Sequence, residues 1–199
     1  MRRRSHDYMG GTLHVAPRKS KINFSHLYDA LSWIFGILVA IFLGVFLVYS
    51  FGIRTSVIGS SMEPTLYNSQ EILLDQILYQ FTTPNRGDVI VFYPNGNENT
   101  HLYVKRIVGL PGETIQIKQG KLFIDGIQYA ADFSGELMDA GVAVDPIVLG
   151  VDEFFVLGDN RSESEDSRSA DIGNVTREMI EGKAWFKLEF GENKAERIK

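Results

Sequence analysis

Twenty-four consecutive uncharged residues, from Ala30 to Ile53, constrain this 199-residue chain more than any other feature. A helix needs about 20 apolar residues to cross the hydrocarbon core of a membrane, so the run is long enough. Core helices of soluble proteins seldom stay apolar on every face over this length, and a cleavable signal sequence has an apolar region of only about 7–15 residues. We therefore predict a transmembrane helix over 29–53, a tail over 1–28 and a folded domain over 54–199.

Charge is distributed unequally about this run. Six of the 20 Lys and Arg residues precede Phe51, against only two of the 25 Asp and Glu residues. The positive-inside rule then places the tail in the cytoplasm and the acidic remainder outside the cell membrane, with the lipid bilayer as a partner. An acidic domain would repel the phosphates of nucleic acid, which is excluded as a partner. The chain has no cysteine, so cysteine nucleophiles, thiolate metal sites and disulfides are excluded too.

Beyond Arg54, short runs of β-branched and aromatic residues alternate with turn-forming Gly, Pro, Asn and Asp, the pattern of an all-β domain. Gln119-Gly120 predicts the tip of a hairpin, and 174–180 is the one short helix predicted there. We expect a mainly β fold, with a single all-β domain on one N-terminal transmembrane helix. The predicted strands are 89–92, 103–108, 114–117, 122–124, 154–157 and 184–188.

The first candidate for chemistry is Ser61, which lies soon after the apolar run in the segment SSMEPTL. Pro64 and the short polar residues around it interrupt regular structure, so an exposed turn is expected. A serine hydroxyl becomes a good nucleophile only beside a base. Of the four histidines only His101 follows the apolar run, which makes it one candidate for that base.

Lys105 is the other candidate base. On a strand it shares a face with Tyr103 and Ile107, while Arg106 points to the opposite face. Desolvation between apolar neighbours lowers the pKa of a lysine amine and would let it accept the Ser61 proton. The alternative is a lysine that extends its amine to water, which is the commoner fate. His101, four residues away, would share the face of Lys105, so both bases stay open at this point.

The segment 158–168 follows a predicted strand and concentrates polar side chains. It is either a solvated turn or the brace of a site, with Asp166 and Arg168 paired and a serine hydroxyl orienting the lysine amine. Metal binding is disfavoured because no histidine is near and two arginines compete for the carboxylates.

Four segments occur in a fixed order: SMEPTL at 61–66, RGDVIVF at 86–92, YVKRIVGLPGE at 103–113 and GDNRSESEDSR at 158–168. With the preceding apolar run, residues 30–190 closely resemble the bacterial type I signal peptidases, in the compact form common in Gram-positive bacteria. The resemblance implies a membrane-bound serine endopeptidase that removes signal peptides from exported preproteins with a Ser-Lys dyad. It also implies a β catalytic domain outside the cell membrane and neither a metal nor a cofactor.

The resemblance also implies roles for individual residues. Ser61 would be the nucleophile, Lys105 the general base and Ser164 the serine that hydrogen-bonds the lysine amine, with Asp166 and Arg168 as structural supports. Some relatives bind the oxyanion with a serine where this chain has Gly59, so oxyanion binding would fall mainly to the Ser61 backbone N–H. The residues expected to line shallow pockets for small substrate side chains, beside an extended substrate strand at 55–58, are Val57, Ile58, Met62, Leu66, Tyr103 and Val104.

Three alternatives remain. The base could be His101 instead of Lys105. The chain could be a self-cleaving repressor-type Ser-Lys protease, although such proteins are soluble and carry DNA-binding regions. It could also be a membrane-anchored domain that binds exported proteins without cutting them. Cleavage of a preprotein, with Ser61, Lys105 or His101 replaced by Ala, distinguishes these readings.

Overall fold

The computed structural model describes residues 25–51, 53–129, 139–189 and 194–198. Helix α1 spans Ser25–Phe51, and its stretch His26–Val48 is apolar and long enough to cross a membrane, at about 1.5 Å per residue. Every side chain in that stretch is exposed, as expected of a helix covered by lipid rather than by protein. The helix begins four residues before the predicted span. The predicted tail up to residue 24 lies outside the described residues.

The rest of the described chain is mainly β and forms two antiparallel sheets, which confirms the predicted fold class. The larger sheet has the strand order β1-β2-β11-β3-β4-β9-β10, with β12 paired to β11, and the smaller has the order β7-β6-β5-β8. A single-turn helix, α2, spans Leu78–Phe81. The strands are β1 Ile53–Ser56, β2 Glu71–Asp75, β3 Val89–Phe92, β4 Tyr103–Gly109, β5 Thr114–Lys118, β6 Lys121–Ile124, β7 Ile127–Gln128, β8 Ile147–Val148, β9 Glu153–Leu157, β10 Val175–Thr176, β11 Ile180–Leu188 and β12 Ala195–Arg197.

The predicted strands are all present, and the hairpin tip at Gln119-Gly120 is confirmed by the pairing of Lys118 with Lys121. Both tip residues have positive φ, 51° and 69°, as a tight two-residue hairpin turn requires. The helix predicted over 174–180 is wrong. Val175–Thr176 pairs with β9 instead, and only Arg177–Met179 forms a single 3-10 turn. Pairing with a neighbouring strand overrides the weak local preference of so short a segment.

Strand β4 lies near the middle of the larger sheet and contributes to all three apolar clusters of the described core. Val104 packs with Val57, Met62 and Leu66 in one cluster. Ile107 and Val108 belong to two further clusters, on opposite faces of the strand. The alternation of side chains along β4 therefore places Lys105 and Arg106, between these apolar residues, on opposite faces as well.

Candidate active site

The serine nucleophile candidate is held in a turn between β1 and β2. The backbone of Gly59 has φ +87°, a conformation that favours glycine. Two residues of the turn, Met62 and Leu66, have no exposed surface and anchor the turn in the core. Ser61 itself is partly exposed between these buried anchors. The turn therefore presents the Ser61 hydroxyl at the surface on a rigid support.

Lys105 lies on β4 with only 4% of its surface exposed. Its Nζ atom is 2.7 Å from Ser61 Oγ, within hydrogen-bonding distance. Burial lowers the pKa of the Lys105 amine from 10.5 to about 8, against the opposing effects of Asp166 and Glu165. The amine is therefore uncharged in a substantial fraction of molecules just above neutral pH.

The other candidate base, His101, precedes β4, and its side chain is exposed. The Ser61 hydroxyl oxygen accepts its hydrogen bond from the Lys105 amine. The geometry therefore favours the lysine over the histidine as the partner of Ser61.

The loop 158–168 contacts the nucleophile turn directly. Asn160 donates its backbone N–H to the Ser61 carbonyl at 3.0 Å and its side-chain amide to the Ser60 carbonyl at 3.3 Å. The Ser60 hydroxyl donates to Glu163 Oε2 at 3.1 Å. A β-carbon at Gly158 would lie 2.4 Å from the Ser61 carbonyl oxygen, so only glycine permits this approach. The loop thus fixes the backbone on which the nucleophile sits.

The loop is itself braced by the predicted pair of Asp166 and Arg168. Arg168 Nε and Nη2 donate to the two oxygens of Asp166 at 2.8 and 2.9 Å, and Asp166 is fully buried. The same carboxylate accepts the Gly158 backbone N–H at 3.0 Å. Such a bidentate pair with a third donor satisfies a buried carboxylate and fixes the loop rigidly.

Ser164 is placed differently from the expectation. Its hydroxyl is buried and has no hydrogen-bond partner among the described residues. The expected bond to the Lys105 amine is therefore not formed in this structure. The hydroxyl instead lies close to Gly158, in space that a β-carbon at that position would occupy.

A second buried ion pair, absent from the sequence-based expectations, joins β4 to the loop. Arg106 Nε and Nη2 donate to the oxygens of Asp159 at 2.8 and 2.7 Å, and Arg106 Nη1 donates to the Gly87 carbonyl at 2.7 Å. The side chains of Arg106 and Asp159 are each 1% exposed. Alternation along β4 places Arg106 opposite Lys105, but the burial of Arg106 and the identity of its partner are seen only in the structure.

The six predicted pocket residues divide into two groups. Met62 and Leu66 have no accessible surface, so the prediction that they line an open pocket is wrong for this conformation, because the turn uses them as anchors. Val57 and Val104 are also largely buried. Ile58, at 64% exposure, and the partly exposed Tyr103 are the two accessible members of the set.

Two strand edges near the dyad have unpaired backbone. Among the strands that the structure describes, β1 pairs only with β2, and the Val57 backbone continues that pairing through bonds with Gln70 and Ser69. By alternation, the backbone of Ser56 and Ile58 faces the open side. The pairing of β4 with β9 begins at Arg106, so the Val104 backbone has no β9 partner. The site can therefore accept an extended peptide along either edge.

Comparison with known proteins relates the chain to one family of peptidases. A model of the family "Signal peptidase, peptidase S26" matches residues 30–189. "Signal peptidase I P" of Bacillus subtilis subsp. natto is 38% identical over 82% of this chain and 90% of its own length, and signal peptidase I of Bacillus amyloliquefaciens is 37% identical over 78% and 86%. A crystal structure of a signal peptidase I from Enterococcus faecalis V583 is 29% identical, with a TM-score of 0.41 over 51% of this chain and 97% of that chain. From the sequence matches, the chain belongs to the signal peptidase family of peptidases, S26.

Proposed function

We propose that Ser61 is the nucleophile and Lys105 the general base of a membrane-bound serine endopeptidase that removes signal peptides from preproteins. Membership of the signal peptidase family supplies the activity and the class of substrate. The observation that supports the residue assignment is the distance of 2.7 Å between a buried amine and a serine hydroxyl. A buried lysine with a lowered pKa is a suitable base for a hydroxyl near neutral pH.

The reaction proceeds by acyl transfer. The uncharged Lys105 amine takes the proton of Ser61 Oγ as this oxygen forms a bond with the scissile carbonyl carbon. The resulting ammonium returns the proton to the leaving nitrogen, the carbon–nitrogen bond breaks and the mature protein departs. A water molecule then attacks the ester, Lys105 accepts its proton and passes it to Ser61 Oγ, and the signal peptide is released.

Negative charge on the substrate oxygen is stabilised by the backbone N–H of Ser61. This N–H has no acceptor among the described residues. Gly59 supplies no hydroxyl, and its own N–H is bonded to Asn68 Oδ1 at 2.9 Å. Removing one donor from an oxyanion site typically costs about 3 kcal/mol of transition-state stabilisation, so this N–H carries much of the binding.

The substrate binds as an extended strand along the open backbone of β1 near Ser56 and Ile58. The unpaired Val104 backbone supports a second set of hydrogen bonds on the opposite side of the peptide. Ile58 and Tyr103 contribute the accessible apolar surface. Because little open space remains beside the buried Val57 and Val104, small side chains next to the cut are preferred.

Helix α1 anchors the enzyme in the bilayer, with the N-terminus in the cytoplasm and the residues after the helix outside. The apolar stretch His26–Val48 and the excess of basic residues before it support this topology. Anchoring raises the effective concentration of the enzyme near signal peptides that are themselves in the membrane. Labelling of single cysteines, introduced at Ser5 or at the exposed Glu98 in intact cells, tests this topology. We expect labelling at position 98 and not at position 5, and labelling at position 5 alone would indicate the opposite orientation.

The decisive experiment incubates the full-length, detergent-solubilised protein with a purified preprotein. The wild-type protein and His101→Ala cleave it, whereas Ser61→Ala and Lys105→Ala do not. Activity retained in Lys105→Ala but lost in His101→Ala would transfer the base to the histidine. An uncleaved preprotein with the wild-type protein would instead favour a non-catalytic binding domain.

A further inference from the structure

Two carboxylates of the loop act on the Lys105 amine, and they differ in how their charge is compensated. Both Asp166 and Glu165 raise the pKa of Lys105 against the effect of burial. Asp166 is fully buried and bound by Arg168 through both oxygens. Glu165 is exposed and forms no ion pair within the described part of the chain. The uncompensated negative charge beside the amine is therefore that of Glu165.

Glu165 also makes one specific contact. Its Oε2 atom accepts the hydroxyl of Tyr103 at 3.0 Å. Tyr103 lies two residues before Lys105 on the same face of β4, and its ring centre is 5.2 Å from the Lys105 amine. One hydrogen bond thus links the loop to the aromatic ring that faces the amine.

We infer that Glu165 is a positioning residue for the base, because it holds the Tyr103 ring against Lys105 and keeps an uncompensated carboxylate on the hydroxyl of that ring. The inference rests on the proposed roles of Ser61 and Lys105. The other groups that face the amine explain why this carboxylate matters. Ile90, the residue of β3 paired with Lys105, is apolar, and the nucleophile turn supplies the uncharged hydroxyl of Ser61. The charge of the neighbouring Arg106 is paired with Asp159.

The carboxylate has two opposing effects on the rate. It favours the ammonium form of Lys105, which reduces the fraction of enzyme with an uncharged base at a given pH. It also stabilises the ammonium that forms when Lys105 takes the serine proton, which lowers the barrier once the base is uncharged. A residue that only held the loop in place would produce neither effect on the pH profile.

Glu165→Gln separates charge from contact, because glutamine keeps an oxygen that can accept the Tyr103 hydroxyl. We expect the acid limb of the kcat profile for preprotein cleavage to move to lower pH by about 0.2–0.7 units, the range typical of exposed charge pairs. The plateau at alkaline pH should fall at the same time, because the base becomes weaker. Tyr103→Phe keeps the charge and the ring, and should give a smaller shift in the same direction as the released carboxylate moves into solvent.

Glu163→Gln is the matched control. Glu163 lies two residues away in the same exposed loop and accepts the Ser60 hydroxyl, but it does not contribute to the pKa shift of Lys105. Its acid limb should coincide with that of the wild type. An unchanged acid limb in Glu165→Gln, or an equal shift in both variants, would overturn the inference while leaving the proposed function intact. Cleavage by Lys105→Ala would instead overturn the proposed function.

Discussion

The two faces of strand β4 place two neighbouring cationic residues, Arg106 and Lys105, in opposite electrostatic environments. Arg106 and its partner Asp159 are each 1% exposed and joined by two hydrogen bonds. Lys105 is buried almost as deeply, at 4% exposure, but its amine meets the Ser61 hydroxyl instead of a carboxylate. The charge of Arg106 is therefore compensated by a carboxylate, whereas burial lowers the pKa of the Lys105 amine and favours its uncharged form. Both residues are buried, so it is the presence or absence of a bound carboxylate that distinguishes the structural Arg106 from the proposed base Lys105.

Lys105→Arg should have the largest effect, because it places beside Ser61 a cation that cannot lose its proton near neutral pH. We expect kcat/KM for preprotein cleavage to fall by about 10³-fold, within the range of general-base catalysis. The steady-state rate of cleavage measures this loss. Recovery of activity at moderately alkaline pH would contradict the comparison, since arginine would then serve as the base.

Asp159→Ala removes the carboxylate that accepts two hydrogen bonds from the buried Arg106 guanidinium. We expect a loss of about 3–5 kcal/mol in the free energy of unfolding, measured by chemical denaturation. The double variant Arg106→Leu/Asp159→Leu is the control, because replacing both partners with apolar side chains removes the unpaired charge. Equal destabilisation in the single and double variants would show that the loss comes from packing and not from charge.

Lys105→Met should raise stability while it abolishes cleavage. The pKa of Lys105 in the folded chain, about 8, lies below its ordinary value of 10.5. At neutral pH the unfolded chain therefore binds the lysine proton more tightly than the folded chain does, which lowers the stability of the folded state. Removing the amine should therefore add up to about 3 kcal/mol to the free energy of unfolding at neutral pH. The gain should shrink as the pH rises from about 8 towards 10.5, because the unfolded lysine also loses its proton. Denaturation over this pH range tests it, and a gain independent of pH would point to packing.

Ser60→Ala should have the smallest effect, because it removes a hydrogen bond to the exposed Glu163 rather than a buried ion pair. A change of about 0.5 kcal/mol in the free energy of unfolding, or about twofold in kcat/KM, is expected for a contact so accessible to water. A loss as large as that of Asp159→Ala would mean that the exposed side of the loop, and not the buried pairs, fixes the nucleophile.

The comparison also shows what the sequence could and could not predict. Alternation along β4 was enough to place Lys105 and Arg106 on opposite faces, because this period depends only on strand geometry. The partner of Arg106 lies 53 residues away in the chain. It was missed because a contact so distant depends on how the loop after β9 returns to β4.

Three further expectations differ from the structure, one in the nucleophile turn, one in the loop 158–168 and one after that loop. Met62 and Leu66 have the apolar character of both pocket and core residues, and only their burial distinguishes the two roles. The hydrogen bond expected from Ser164 depends on the orientation of a single side chain, which lies close to Gly158 in the structure and which no local sequence pattern encodes. The helix expected near Val175 formed a strand pairing because β9 was available beside it.

The unpaired outer side of β1 limits which exported proteins can bind as substrates. A polypeptide that joins this edge has to lie fully stretched over several residues, since hydrogen bonding along a strand requires that conformation. A helix, or a chain already packed into a compact domain, cannot offer it. On the proposed mode of substrate binding, exported proteins that have finished folding would escape cutting even where small residues occur at the right spacing, and the enzyme would discriminate by the conformation of its target as well as by its sequence.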